Sequence, residues 1–311
     1  MVQSTRLLIL GATHLGRTGR REPDEALEGI VSRMVGWRPD AIAIEALPGE
    51  LVDSYRRLGG PYADLSVGGM PAAISCAEAV RDLHSWDLWA ARRVGEDRSR
   101  SVEERIIAWC AAYEPFTALL LAHRTTDLPD EVRAALDAVA ATGDERVRIA
   151  GEAAVRLELE RLHPFDDHSN WAAFAQVSDE EYAEGLRAVN EHARRHPQVV
   201  GLSALVEAAI SDADLWPFWR RLNSPEEIDE NERLESGSYV ADVATGALPR
   251  KALAGWRARN LLMAAHLRSV LGEYPGGRVL ALVGHSHKGP IEAALGVGQW
   301  DVELADVSEL G

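Results

Sequence analysis

Three runs along the chain are apolar at every position, without polar alternation: Leu7-Leu8-Ile9-Leu10, Ala41-Ile42-Ala43-Ile44 and Val279-Leu280-Ala281-Leu282-Val283. Strands of this kind are buried on both faces, as in a parallel sheet covered by helices. A fourth short segment, Leu162-His163-Pro164-Phe165, reads as a further parallel strand, although Pro164 has no N–H to give a ladder. Between the first two runs, Leu27, Ile30, Val31 and Met34 keep helical spacing, which makes a βαβ opening with a right-handed crossover. The stretches 48–150 and 170–247 are helical in pattern. Their start signals are Ser101 with Glu104, Asp130, Ser178 with Glu181, and Ser224-Pro225 with Glu227. A helix over 145–159 leads into the Leu162 strand. A long helix over 248–271 carries the stripe Leu253, Trp256, Met263, Leu267, Val270, and Trp300, Val302 and Leu304 alternate with polar residues as an edge strand should. The expected fold is α/β: one domain over 1–311, with a mostly parallel central sheet flanked by helices and the two helical insertions forming a cap.

Composition narrows the partners. With 46% hydrophobic residues in 311, the chain can bury a large core. Its net charge of −16 argues against a nucleic-acid partner, because backbone affinity comes from clustered Lys and Arg. No run approaches the roughly 18 apolar residues of a membrane helix, and the N-terminus lacks the pattern of a signal peptide. Cys76 and Cys110 both fall in apolar helical patterns, so they read as reduced core residues of a cytoplasmic protein.

Chemistry gathers where the strands end. Both Leu10 and Val283 run into Gly-x-x-His: Gly11-Ala12-Thr13-His14 and Gly284-His285-Ser286-His287. The second strand ends on Glu45 and the third on Asp166-Asp167-His168. Open α/β sheets bind ligands at the carboxyl ends of their strands, so two imidazoles from opposite ends of the chain should meet there with carboxylates. Taken singly, each has a plainer reading. A histidine after a strand is more often a hydrogen-bonded structural residue, Glu45 suits a cap or an Arg partner equally, and Asp166 to His168 makes a polar turn. Their convergence on one sheet edge is what favours a site. In an extended strand tip, residues two apart point the same way, so His285 and His287 should both face the cleft, with His287 matched in spacing to His14. Asn260 fills the gap in the apolar stripe of the long helix, beside Arg259. An amide there either ties down a loop or reaches the site, since leaving it unpaired costs roughly 1–3 kcal/mol.

The paired Gly-x-x-His loops, the strand ending in Glu45, the Arg259-Asn260 helix and the strand before Gly284 resemble the TraB, PrgY and Tiki-like superfamily. That grouping also takes in ChaN-like and erythromycin-esterase-like proteins, and the chain is most similar to an uncharacterised bacterial branch of it, as Asp166-Asp167-His168 also suggests. The resemblance lies in short motifs between Leu7 and His287 and leaves the intervening helical regions aside. It implies an α/β core with a helical cap and a hydrolase site, with His14, Glu45 and His287 at its centre and Arg259 and Asn260 in support. Two departures stand out: His285 fills a position expected to be small, and no export signal is visible.

Two mechanisms follow for hydrolysis of a peptide, ester or amide bond in a small-molecule or peptide substrate. In the first, His14, Glu45, Asp166 and His287 hold a divalent ion that activates water; imidazole and carboxylate ligands suit Mn, Co, Fe or Zn. In the second, no metal takes part: His14 or His287 is the general base, oriented by Glu45, and Arg259 stabilises the oxyanion. No Gly-x-Ser-x-Gly elbow supports a serine nucleophile. From another class, Gly11-x4-Gly16-Arg17-Thr18 imitates a phosphate-binding loop, with Arg17 where that motif requires Lys. A non-catalytic binding protein is the remaining alternative.

Overall fold

In the computed structural model, which describes residues 4–15, 22–62, 68–241 and 245–311, the apolar runs form a single sheet. Its strands are β1 (Thr5–Ala12), β2 (Ala41–Ile44), β3 (Leu162–Pro164), β4 (Arg278–Gly284) and β5 (Val302–Ala305). They lie in the order β3-β2-β4-β1-β5, and every neighbouring pair is parallel. The fold is therefore α/β as expected, and Val302–Ala305 is an edge strand. The βαβ opening differs in one respect: β1 and β2 are not neighbours, because β4 from the far end of the chain pairs with both.

Alternation of side chains along each strand explains the unbroken apolar runs. Leu8, Leu10, Ile42, Ile44, Leu280 and Leu282 face one layer, packed on Leu27, Ile30 and Met34 of α1 (Asp24–Trp37). Leu7, Ile9, Ala41, Ala43, Val279 and Ala281 face the other, packed on Met263, Leu267 and Val270.

After β2 come α2 (Gly49–Leu58), α3 (Met70–Ala79), α4 (Leu88–Glu96), α5 (Val102–Ala111), α6 (Pro115–Ala122) and α7 (Asp130–Ala141). The expected helix over 145–159 is a π-helical turn, Arg146–Gly151, that passes into α8 (Glu152–Arg156). The second helical stretch comprises α9 (Asp179–Arg194), α10 (Pro197–Ser211), α11 (Trp216–Leu222) and α12 (Pro225–Val240). Ser178 and Glu181 close a full capping box on α9, whereas Asp130 is the first residue of α7 and Pro129 its N-cap. The long helix is α13 (Leu248–Glu273), and α14 (His285–Leu295) follows β4 directly. No helix among the described residues is long and apolar enough to cross a membrane. Cys76 and Cys110 are buried and unpaired.

Candidate functional site

Parallel register sets the site. Ala12 lies opposite Gly284, and Leu282 opposite Ile44, which itself lies opposite Pro164, so four strands end at one edge of the sheet. The two Gly-x-x-His loops interlock there. A Cβ on Gly11 would stand 2.9 Å from the His285 Cα, and one on Gly284 would stand 3.1 Å from Glu45 Oε2 and 3.2 Å from His14 Nε2. Each glycine is needed because the other loop lies against it. Its role is close approach between backbones rather than an unusual φ.

His14 is more than a third exposed at the cleft, and Glu145 Oε1 lies 2.8 Å from its Nδ1. A carboxylate in that position fixes the tautomer with the proton on Nδ1, so the lone pair is on Nε2, which lies on the side of Gly284 and Glu45. The other Glu145 oxygen accepts from the backbone N–H of Leu15 at 3.1 Å, so the carboxylate is itself held in place. Glu45 Oε2 accepts from the Gly284 N–H at 2.6 Å, while Oε1 accepts from Arg259 Nη2 at 3.0 Å. Arg259 Nε also donates to Asp166 Oδ1 at 2.9 Å and to the Asp167 carbonyl at 3.1 Å. Its Nη1 has no acceptor among the described residues, and the side chain lines the cleft. Burial opposes ionisation of Asp166, yet the hydrogen bond to His168 at 3.0 Å and the Arg259 charge hold its carboxyl well below the usual range.

His287 is buried, its ring tilted against Trp256 at 4.2 Å between ring centroids. Its Nδ1 lies 2.7 Å from Asn260 Oδ1, and Asn260 Nδ2 donates to the Trp256 carbonyl. An amide oxygen only accepts, so Nδ1 carries the proton and Nε2 presents a lone pair 3.5 Å from Glu45 Oε1. Burial lowers the His287 pKa to about 4, against a smaller raising effect of Glu45, so the ring is neutral at pH 7. Two acceptors facing one another suit an O–H donor placed between them.

His14, Glu45, Asp166, Arg259, Asn260 and His287 thus come together at one site. His285 also reaches the cleft, though by a different route from the extended tip expected: it is the first residue of α14, so His285 and His287 sit within one helical turn. Burial lowers its pKa to about 4, and its Nε2 is buried without a hydrogen-bond partner. The expected phosphate-binding loop falls largely on Gly16, Arg17 and Thr18, which lie outside the described residues.

Three further groups were not evident as site residues. Glu145 orients His14. Asn223 accepts from the Gly11 N–H at 2.7 Å and donates to the Gly11 carbonyl at 2.8 Å, standing in for a strand beyond Leu8, where pairing with β5 ends. His266 lies 3.1 Å from Asp167 Oδ2 and holds the loop after β3 from α13.

Above the strand ends lies a cleft of about 820 Å³ walled by α9, α10, α11 and α12. As arranged, the donors do not match a metal site. The Arg259 guanidinium lies between Glu45 and Asp166, where an ion bridging them would sit. Asp166 is fully engaged, and no three His, Cys, Asp or Glu side chains among the described residues are grouped to hold an ion. An ion bound by all four expected ligands requires Arg259 to move aside.

No family model matches the chain, and neither a curated protein nor a solved structure is detectably similar to it.

Proposed function

We propose that the protein is a hydrolase acting on an ester, amide or peptide bond with a histidine base and no resident metal. The observation that carries this reading is the Glu145–His14 pair beside Glu45, His287 and Arg259. His14 Nε2 removes one proton from a water whose other O–H points between the acceptors Glu45 Oε1 and His287 Nε2, and the hydroxide adds to the carbonyl carbon. Glu145 stabilises the imidazolium that forms, as a carboxylate does behind a catalytic histidine. The carbonyl oxygen gains the negative charge and takes a hydrogen bond from Arg259 Nη1. Collapse breaks the bond to the leaving group, which receives the proton back from His14. Glu45, tied to Arg259, fixes the guanidinium, and Asn260 fixes the His287 ring.

The resemblance to the TraB, PrgY and Tiki-like superfamily agrees with a hydrolase and rests on the short motifs alone. A cytoplasmic setting is part of the proposal and is supported by the two unpaired, buried thiols. The metal-assisted reading rests on the same four side chains and is tested separately. Calorimetric titration of untagged protein with Mn, Co, Fe and Zn should show no stoichiometric binding. One tight ion per chain, lost in His287→Ala, would replace the metal-free mechanism with the metal-assisted one.

A further inference from the structure

The helix α10 is out of keeping with the acidic surface of this protein. Over Pro197–Ser211 it carries one charged side chain, Glu207, and only Ala209 is fully buried. Val199, Leu202 and Val206, at steps of three and four, form a stripe that is only half-buried: Leu202 and Val206 touch the core on one side, and all three line the cleft. Phe218 and Leu222 of α11 continue the same wall. An apolar helix stripe is normally closed by packing; here the space it looks into is the cleft itself.

The unpaired polar atoms of the cleft lie off this stripe, on α12, on α14 and in the first turn of α10. Ser238 is 2% exposed and its Oγ has no hydrogen-bond partner, and the same holds for Gln198 Oε1 and His285 Nε2. Buried polar groups are rarely left unpaired in a native protein, so these atoms are where a ligand's own polar groups belong. Of the charges nearest the site, Arg259 is held by Glu45 and Asp166, and burial pushes the Glu235 carboxyl up, towards its neutral form. Arg194 also lines the cleft but is exposed to solvent.

We propose that the cleft binds an uncharged amphiphile, an aliphatic chain lying on α10 with a hydrogen-bonding head directed to the strand ends. This deepens the hydrolase reading and rests on it for the position of the head: the substrate is an aliphatic ester or amide, its chain on Leu202 and Val206 and its carbonyl near His14 and Arg259. Charged side chains are disfavoured against the α10 stripe, which offers them no counter-charge.

Methyl ketones with butyl, hexyl and octyl chains imitate such a substrate and cannot be hydrolysed. In calorimetric titrations of the whole protein, affinity should rise roughly fourfold per added methylene, the increment expected for burial of one CH₂. Leu202→Asp places a carboxylate in the wall and should weaken the octyl ketone at least about tenfold. Val200→Asp, on the outer face of α10 where Val200 is 60% exposed, should leave it unchanged. Affinity independent of chain length, absence of binding, or equal binding by a folded Leu202→Asp would overturn the proposal. The chain-length series on wild type decides the matter even where Leu202→Asp fails to fold. Chain-dependent binding without hydrolysis of the matching esters keeps the ligand class and removes the hydrolase reading; hydrolysis of short esters without chain dependence does the reverse.

Discussion

Replacing Arg259 with methionine keeps most of the side-chain volume while removing the charge held between Glu45 and Asp166. The Arg259 side chain is 13% exposed and that of Asp166 1%, so neither charge is well solvated. Breaking a buried pair from one side typically costs about 3–5 kcal/mol, because the remaining charge is left uncompensated. Set against a total stability of about 5–15 kcal/mol, this is a large loss that many folds survive. Urea unfolding followed by fluorescence of the nine tryptophans measures it directly. Adding Asp166→Asn to Arg259→Met removes the stranded charge and should restore roughly 1–3 kcal/mol. The pH dependence carries a sign. With Arg259 present, the depressed Asp166 pKa supplies stability that is present above the unfolded carboxyl value and is lost as the pH falls through the lower folded value. Without the guanidinium, the folded carboxyl keeps its hydrogen bond to His168 but takes up a proton more readily than in wild type. The gap between wild type and Arg259→Met should therefore narrow as the pH is lowered from about 7 towards 4. A loss below about 1 kcal/mol at neutral pH, or no recovery in the double variant, would show that the pair is hydrated and the reasoning mistaken.

Three other changes probe separate parts of the fold and site. Asn260→Ala removes a fully buried amide that meets His287 and the Trp256 carbonyl; it should cost roughly 1–3 kcal/mol in denaturant melts, and an unchanged melt would contradict its burial. Gly284→Ala sets a methyl group 3.1 Å from Glu45 Oε2 and 3.2 Å from His14 Nε2. That variant should melt cooperatively yet lose ester hydrolysis, and full activity would mean that the two side chains need not meet. His163 is buried against Tyr274, and burial lowers its pKa to about 3. Its neutral form gives stability that is present above the unfolded value near about 6.5 and lost as the pH falls towards about 3, so His163→Phe should flatten the decline in urea midpoint on acidification. An unaltered slope would refute that assignment.

The sheet was legible because burial on both faces leaves the same mark in sequence and structure: Leu7 to Leu10 and Val279 to Val283 carry no polar position to place elsewhere. The matched Gly-x-x-His spacing was legible too, since equal offsets from two parallel strands bring His14 and His287 to one edge. Strand order was not, because the insertion of β4 between β1 and β2 is decided by pairing across more than two hundred residues. The start of α14 at His285 was not legible, because Gly-x-x-His directly after an apolar strand reads as an extended tip rather than as the first turn of a helix. Glu145 and Asn223 act on the first loop from 131 and 212 residues away. A single carboxylate in a helical stretch and a single amide at a helix end carry no local sign of such a partner. Asn260 was different, since its place in an apolar stripe marked it before its contact with His287 was known.

The central claim, a histidine base working without metal, is tested most directly by the initial rate of hydrolysis of nitrophenyl hexanoate. The comparison is between chelator-treated wild type and His14→Gln under the same conditions. The account expects a rate indifferent to chelation in wild type and lower by about 100-fold or more in the variant, the usual contribution of a positioned general base. A rate abolished by chelation and restored by a divalent ion, or a His14→Gln protein as active as wild type, would contradict it.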